Sequence, residues 1–147
     1  MRIFAKWMVG VAVSALVGLA GAAQAAETEQ VTLWEKDGKF GINVSHKALK
    51  AGKVTFNVVN KAGGNMQHEM IVVQLTPAQA ADPTSLPYDE KSATVDEENV
   101  NDRGEVSELD PGKTGSLTID LTPGTYMLLC NVAGHYKAGM YTMLKVS

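Results

Sequence analysis

The sequence predicts an all-β sandwich or barrel. Past the N-terminal region, apolar and polar residues alternate in short segments, as they do in β-strands with one buried face. Turn signals separate these segments, among them Asp37-Gly38, Asp110-Pro111-Gly112 and Thr122-Pro123-Gly124. The sequence contains no internal repeat. One β-domain is therefore expected.

An export signal precedes this domain. Arg2 and Lys6 give a positive start, residues 8–20 form an apolar run, and Ala23-Gln24-Ala25 fits a small-x-small cleavage site. The apolar run is shorter than the ~20 residues that a membrane helix requires, so a permanent anchor is not expected. The sequence predicts a Sec-type signal peptide at residues 1–25, removed on export to the periplasm.

The mature domain, residues 26–147, is acidic. With Arg2 and Lys6 removed, 11 basic and 16 acidic residues remain, a formal charge of −5. This balance argues against nucleic acid as a partner. The destination is oxidising, and an unpaired exposed thiol would be oxidised there. Cys130, the single cysteine of the chain, is therefore expected to be deeply buried or bound to a metal.

The first predicted strands lie on either side of a tight hairpin turn. Residues 31–34 and 39–44 flank Asp37-Gly38, a dipeptide typical of two-residue β-turns. Residues 53–59 follow, with alternate apolar side chains that predict one buried face. Residues 69–75 form a more continuously apolar strand.

The last predicted strands are residues 115–121, 125–130 and 140–146. The first of them alternates Leu117, Ile119 and Leu121 with polar residues, which predicts a strand with one buried face. The Thr122-Pro123-Gly124 turn separates it from the strand that ends at Cys130.

Residues 77–108 break the pattern. They contain three prolines, and from residue 82 to residue 108 nine acidic residues stand against Lys91 and Arg103. The segment lacks strand periodicity, which predicts an irregular acidic excursion between the middle strands, with a short helix at residues 77–81. A solvated flap is favoured over a docking surface, because charge runs usually face solvent.

Four side chains form the candidate functional site: His68, Cys130, His135 and Met140. Two imidazoles, a thiolate and a weak axial thioether are the ligand set of a blue-copper electron-transfer site. Zinc also binds Cys and His, but methionine is not among its usual ligands, so copper is preferred. The cysteine, second histidine and methionine come from one Cys-x4-His-x4-Met segment, and both offsets would arise by chance about once in a thousand.

Other residues compete for these roles. His46 is the one alternative first imidazole, but it follows a strand in "SHKALKAG" and is expected to be solvent-exposed. Met127 and Met143 fall where strand alternation would pack them in the core. In "MQHEM", Met66 and Met70 would share a face with His68 if the segment were extended, which makes the three side chains candidate ligands for the initial binding of Cu(I).

The segment "GTYMLLCNVAGHYKAGM" resembles the last-strand motif of the cupredoxins, with ligands spaced as in the rusticyanin and auracyanin branches. The resemblance covers most of the mature chain. It implies a Greek-key β-sandwich, one type 1 copper and a first ligand at His68. The family often has Asn directly after the first histidine, linking the two ligand loops, whereas this chain has Glu69. Because of this difference, the resemblance does not predict the redox potential of the copper site.

These features favour a soluble, monomeric one-electron carrier that exchanges electrons with redox partner proteins through the His135 edge. Residues 132–134, Ala138, Gly63 and Gly64 would then form a small apolar docking patch. The alternative is a periplasmic copper-handling protein with a copper donor or acceptor as partner. An enzyme is not expected, because copper oxidases and nitrite reductases need further histidines and a binuclear site needs a second cysteine.

Overall fold

The computed structural model describes residues 25–147, and residues 1–24 of the predicted signal peptide lie outside this part of the chain. The strands are β1 (Glu27–Lys36), β2 (Lys39–Val44), β3 (Ala48–Leu49), β4 (Gly52–Asn60), β5 (His68–Gln74), β6 (Tyr88–Asp89), β7 (Thr94–Val95), β8 (Asn101–Leu109), β9 (Thr114–Leu121), β10 (Gly124–Leu129) and β11 (Tyr141–Val146). Helix α1 (Pro77–Ala81) and a 3-10 helix (Glu97–Asn99) complete the elements. None of the described helices is long and apolar enough to span a membrane.

Two sheets form the predicted sandwich. One has the strand order β2-β1-β4-β9 and the other β3-β11-β10-β5-β8. The chain crosses between them from β2 to β3, from β3 to β4, from β4 to β5, from β8 to β9 and from β9 to β10, so strands distant in sequence become neighbours. This Greek-key connectivity confirms the expected fold class.

The first hairpin has the predicted turn. Asp37 and Gly38 both have positive φ, 54° and 72°, as a two-residue turn between twisted strands requires. Lys36 pairs with Lys39 across it. The turn brings the start of β2 to the end of the sandwich where β4 ends and β5 begins.

The prediction for residues 77–108 was correct for α1 but wrong for the last quarter of the segment. Residues 101–109 form β8, which pairs with β5 at the edge of the second sheet through two register shifts. Only Val106 of this strand is buried. An edge strand with charged outward side chains resists pairing with other molecules, and the same charges hide its periodicity in the sequence.

The sandwich has two apolar clusters. The inner cluster lies between the sheets and includes Leu33, Phe56, Met70 and Leu128. The outer cluster lies on the other face of the second sheet, and Leu86 and Val95 contribute to it. The segment between α1 and β8 therefore covers the outer face of the sheet and is not the solvated flap expected from its charges.

Alternation along β10 divides its side chains between the two clusters. Tyr126 and Leu128 belong to the inner cluster, whereas Met127 and Leu129 belong to the outer one. The next residue, Cys130, again faces inward. Tyr126 also donates from its hydroxyl to the Thr122 carbonyl oxygen over 2.9 Å, which fixes the turn that leads into this strand.

Candidate metal centre

One end of the sandwich gathers the four predicted ligands. His68 is the first residue of β5, and Cys130 directly follows β10. Residues 131–139, which we call the ligand loop, connect Cys130 to Met140 and carry His135. The backbone N–H of Cys130 donates to the Met140 carbonyl oxygen over 3.0 Å, so the two ends of the loop are paired.

Three donor atoms converge in this region. The Nδ1 atoms of His68 and His135 lie 3.2 Å apart, and the Cys130 Sγ lies 3.8 Å from the first and 3.3 Å from the second. Of the described residues, only these three place His, Cys, Asp or Glu donor atoms in a cluster of metal-binding size. The sequence-predicted imidazoles and thiol are therefore brought together.

Met140 lies beside them. Its side chain is fully buried in the inner cluster, to which Cys130 also belongs. Its backbone N–H donates to the His135 carbonyl oxygen over 2.9 Å, which closes the last turn of the ligand loop. The thioether is thus held at the same apolar end of the sandwich as the three converging donors.

Burial sets the electrostatics of the site. Burial lowers the pKa of His68 to about 4, with a further decrease from His135, and burial also lowers the pKa of His135. Burial raises the pKa of the Cys130 thiol to about 11, despite backbone N–H groups that favour the thiolate. Without a metal, the site therefore holds two neutral imidazoles and a neutral thiol at pH 7.

This donor set fits copper. The His68 Nε2 is buried and has no hydrogen-bond partner among the described residues, so all polar contacts of this ring run through Nδ1, toward His135 and Cys130. Neutral imidazole and thiolate are ligands that copper prefers, and a cation would offset the cost of a buried thiolate. Carboxylates, which harder cations require, are absent from this cluster.

Two residues that support the site were not anticipated from the sequence. The Phe40 ring stacks on the His135 imidazole with a centroid separation of 4.6 Å and an interplanar angle of 27°. The buried Asn60 donates to the carbonyl oxygens of Met66 and Leu109 over 2.9 Å and 2.7 Å, which fixes the loop that leads into His68. A polar residue ending the apolar strand "KVTFNVVN" was the available signal for Asn60.

The competing histidine lies elsewhere. His46 follows β2 at the opposite end of the sandwich, and its side chain is 64% exposed. Its Nδ1 lies 3.0 Å from the carboxylate of the fully buried Glu29, which also accepts from the His46 backbone N–H. The structure therefore assigns His46 a surface position, as the sequence predicted.

The shared face proposed for "MQHEM" was wrong. Met66 lies in the loop before β5 and is 37% exposed, whereas Met70 is fully buried in the inner cluster. A register shift between His68 and Met70 further interrupts the alternation of the strand. Because Met66 is not in the strand, the period of two that grouped these side chains does not apply to it.

Glu69 occupies the position after the first histidine. Its backbone N–H points at the Cys130 Sγ over 3.5 Å. Its carboxyl is largely buried, which raises its pKa to about 7, and the nearby carboxylates of Glu108, Glu97 and Glu105 contribute in the same direction. This buried carboxyl is near enough to Cys130 to contribute to the raised pKa of the thiol.

A family of known proteins matches most of this chain. The family model of the sulfocyanin (SoxE) domain matches residues 38–147. A search of curated proteins gave no match to the chain.

Solved structures share the fold. An auracyanin from Roseiflexus castenholzii is 21% identical, with 84% of this chain and 99% of that chain covered and a TM-score of 0.55. Auracyanin A, a blue copper protein from Chloroflexus aurantiacus, is 21% identical over 82% of this chain and 99% of that chain, with a TM-score of 0.53. An azurin from Methylomonas sp. strain J is 16% identical over 84% and 99%, with a TM-score of 0.57.

The thiol pKa gives the first testable prediction. In the folded, metal-free mature protein, Cys130 should react with a chromogenic disulfide reagent at pH 7 at least about a hundredfold more slowly than in the urea-unfolded chain. The thiolate fraction below both pKa values falls tenfold per unit, and the pKa rises from 9.0 to about 11 on folding. Stopped-flow absorbance measures both rates. Equal rates would show that the fold neither shields the thiol nor raises its pKa.

Proposed function

The chain belongs to the sulfocyanin (SoxE) domain family, a family of type 1 copper cupredoxins, and on this premise we propose that it is a periplasmic carrier of single electrons. One copper ion is the cofactor. The proposed ligands are His68, Cys130, His135 and Met140. When bound, this ion supplies a centre that alternates between Cu(II) and Cu(I).

One observation carries the proposal. The two Nδ1 atoms and the Sγ lie within 3.8 Å of one another in a site closed to solvent. The side chains already face each other, so little rearrangement is needed to bind the ion. A site that is held in place lowers the energy of reorganisation that accompanies electron transfer.

Groups around the proposed ligands affect Cys130, His135 and Met140 in different ways. Cys130 must bind as the thiolate, and the Glu69 N–H directed at its sulfur stabilises that negative charge. Phe40 restrains the ring plane of His135 by stacking on it. Met140, buried in the inner cluster, would supply a weak thioether ligand away from water.

Electrons would pass through the His135 edge. His68, Cys130 and Met140 are each 0% exposed, whereas His135 is 6% exposed. Ala133 and Ala138 of the ligand loop and Gly63 and Gly64 of the loop before β5 are exposed around this end of the sandwich. They form the proposed small apolar surface for redox partner proteins, which the chain would meet as a monomer.

A catalytic role is not proposed. Copper enzymes that reduce nitrite or oxygen use further histidines at a second site. The chain has three histidines, two of which belong to the proposed site, and the third, His46, is paired with Glu29. The signal-peptide pattern of residues 1–25 supports the periplasm as the location.

Copper handling is the second candidate, and one observation favours it. Met66 is the one large hydrophobic side chain that is well exposed within residues 25–147, and it lies two positions before His68. An accessible thioether next to a copper ligand could receive Cu(I) during transfer. Met70 is too deeply buried to share this role without movement of β5.

Removal of the thiolate tests the copper site. The mature wild-type protein should bind one Cu(II) and become intensely coloured through thiolate-to-copper charge transfer, and Cys130→Ser should abolish the colour. Visible absorption during copper titration measures both. A Cys130→Ser protein that keeps the colour would exclude Cys130 as the ligand.

Replacement of the axial ligand should change the reduction potential. Met140→Gln should lower it, because a harder carbonyl oxygen favours Cu(II), while the colour largely survives. Protein-film voltammetry measures the potential. The matched control is Met143→Gln, a change of the same type in β11 at a side chain of the outer cluster. Equal potentials in the two variants would show that Met140 is not an axial ligand.

Transfer kinetics distinguish the carrier from the copper handler. For a carrier, Met66→Leu should leave the loss of Cu(I) to a competing chelator slow and unchanged, because Met66 lies outside the proposed ligand set. Met127→Leu, at a fully buried site of the outer cluster, controls for the side-chain exchange itself. Stopped-flow absorbance follows the transfer. Rapid wild-type loss that Met66→Leu slows strongly would favour copper handling.

A further inference from the structure

We propose that residues 82–100, here called the cover segment, clamp the ligand loop and thereby set the positions of Cys130 and His135. The inference rests on the proposed function, because the loop geometry matters through the ligands that it carries. It concerns two positioning residues, Asn131 and Tyr136, neither of which is a proposed ligand. Each directly follows one that is, Cys130 in the first case and His135 in the second.

Asn131 makes the first connection. Its Oδ1 accepts from the Val95 backbone N–H over 2.6 Å, and its Nδ2 donates to the Val95 carbonyl oxygen over 3.0 Å. The same Nδ2 donates to a Glu97 carboxylate oxygen over 2.7 Å. All three bonds of this buried amide therefore end on the cover segment, and the residue next to Cys130 cannot move independently of it.

The residues on either side of His135 make the next connections. The Gly134 N–H donates to the Ala93 carbonyl oxygen over 2.7 Å. The Tyr136 hydroxyl donates to the Pro83 carbonyl oxygen over 2.7 Å and accepts from the Leu86 N–H over 3.3 Å. His135 is thus held between two attachments to the same segment.

The backbone at the Gly134 contact is unusual on both sides. Gly134 has a φ of 82°, which glycine adopts readily, but Ala93 has a φ of 58°, which is unfavourable for a residue with a Cβ. A strained alanine persists when its surroundings stabilise it. Here the Ala93 carbonyl oxygen accepts from the Gly134 N–H, so a hydrogen bond from the ligand loop stabilises the unfavourable Ala93 conformation.

A cation–π contact adds to these bonds. The Lys137 ammonium lies 4.6 Å from the centroid of the Tyr88 ring. Lys137 follows Tyr136 in the ligand loop, and Tyr88 begins β6 in the cover segment. The loop is therefore attached at four of its nine positions, 131, 134, 136 and 137.

Apolar packing keeps the cover segment in place. Leu86 and Val95 are 4% and 3% exposed and pack in the outer cluster with the Tyr136 ring. The same cluster contains side chains of β5, which begins at His68, and of β10, which ends just before Cys130. Release of the segment would expose this apolar surface to water. The free-energy cost of that exposure keeps the clamp closed.

The ligand loop needs such support. It contains Gly134 and Gly139, both at positive φ, and its internal backbone hydrogen bonds are three local ones, donated by residues 135, 138 and 139. Local bonds shape a loop without fixing it against β5, where His68 lies. The contacts to the cover segment supply that restraint, because the segment packs on β5 and the loop together.

A pair of tyrosine variants tests the clamp in the metal-free mature protein. Tyr136→Phe should raise the hydrogen-exchange rate of the Gly134 amide about fivefold, the effect of losing about one hydrogen bond between loop and segment. Tyr141→Phe is the matched control. Its ring packs 5.6 Å from that of Tyr136, and its hydroxyl makes no hydrogen bond within residues 25–147. It should leave this rate unchanged.

A second pair tests the consequence for the copper-loaded protein. Leu86→Ala should change the hyperfine splitting in the electron paramagnetic resonance spectrum of Cu(II) and increase the rate of copper loss to a chelator about tenfold or more. Leu121→Ala makes the same change in the inner cluster. Leu121 is at the end of β9 that lies away from the metal centre, so this variant should keep the wild-type spectrum. The comparison separates clamping from a general loss of stability.

The outcomes are distinct from those of the proposed function. Equal Gly134 exchange in wild type, Tyr136→Phe and Tyr141→Phe would overturn the clamp, and so would identical spectra for Leu86→Ala and Leu121→Ala. A wild-type protein that forms no coloured copper complex would instead overturn the proposed function. The exchange measurement needs no metal, so it still decides the clamp in that case and if Leu86→Ala fails to fold.

Discussion

The burial of two imidazoles and a thiol against one another is the constraint on which the rest of this structure depends. Their donor atoms lie within 3.8 Å of each other, and the surrounding side chains exclude solvent. Polar groups in such a place are costly unless they are bonded to each other or to an ion. The protein keeps them there by building rigid strands and apolar clusters around them.

The sandwich meets this constraint by dividing its packing into two layers. The inner cluster joins the sheets and contains Cys130 and Met140, whereas the outer cluster covers the far side of β5 and β10. These two strands are therefore packed on both faces where they enter the site. A strand fixed on both faces holds the residue at its end more firmly than one that faces water, which fits the proposed electron transfer, since that function requires small reorganisation.

The acidic composition of residues 82–108 acquires a structural explanation. Its charges face solvent, while a few apolar and polar groups beneath them attach to the sheet and to the ligand loop. Part of the segment is also an edge strand, where outward charges prevent association with other chains. The carboxyl of Glu69 in β5, by contrast, is buried, and the nearby charges of Glu97, Glu105 and Glu108 help to raise its pKa to about 7.

The sequence by itself determined the strands with regular alternation, the turn at Asp37-Gly38, the helix at Pro77 and the set of chemical groups that suits copper, because these depend on local pattern and residue type. Only the tertiary structure decided that residues 101–109 form a strand, that Phe40 stacks on His135, and that Asn131 and Tyr136 attach to the cover segment. It also separated Met66 from Met70, since the start of β5 determines which residues alternate. The physical reason is that these contacts join residues far apart in sequence, so their formation depends on how the sheets pack and not on any local period.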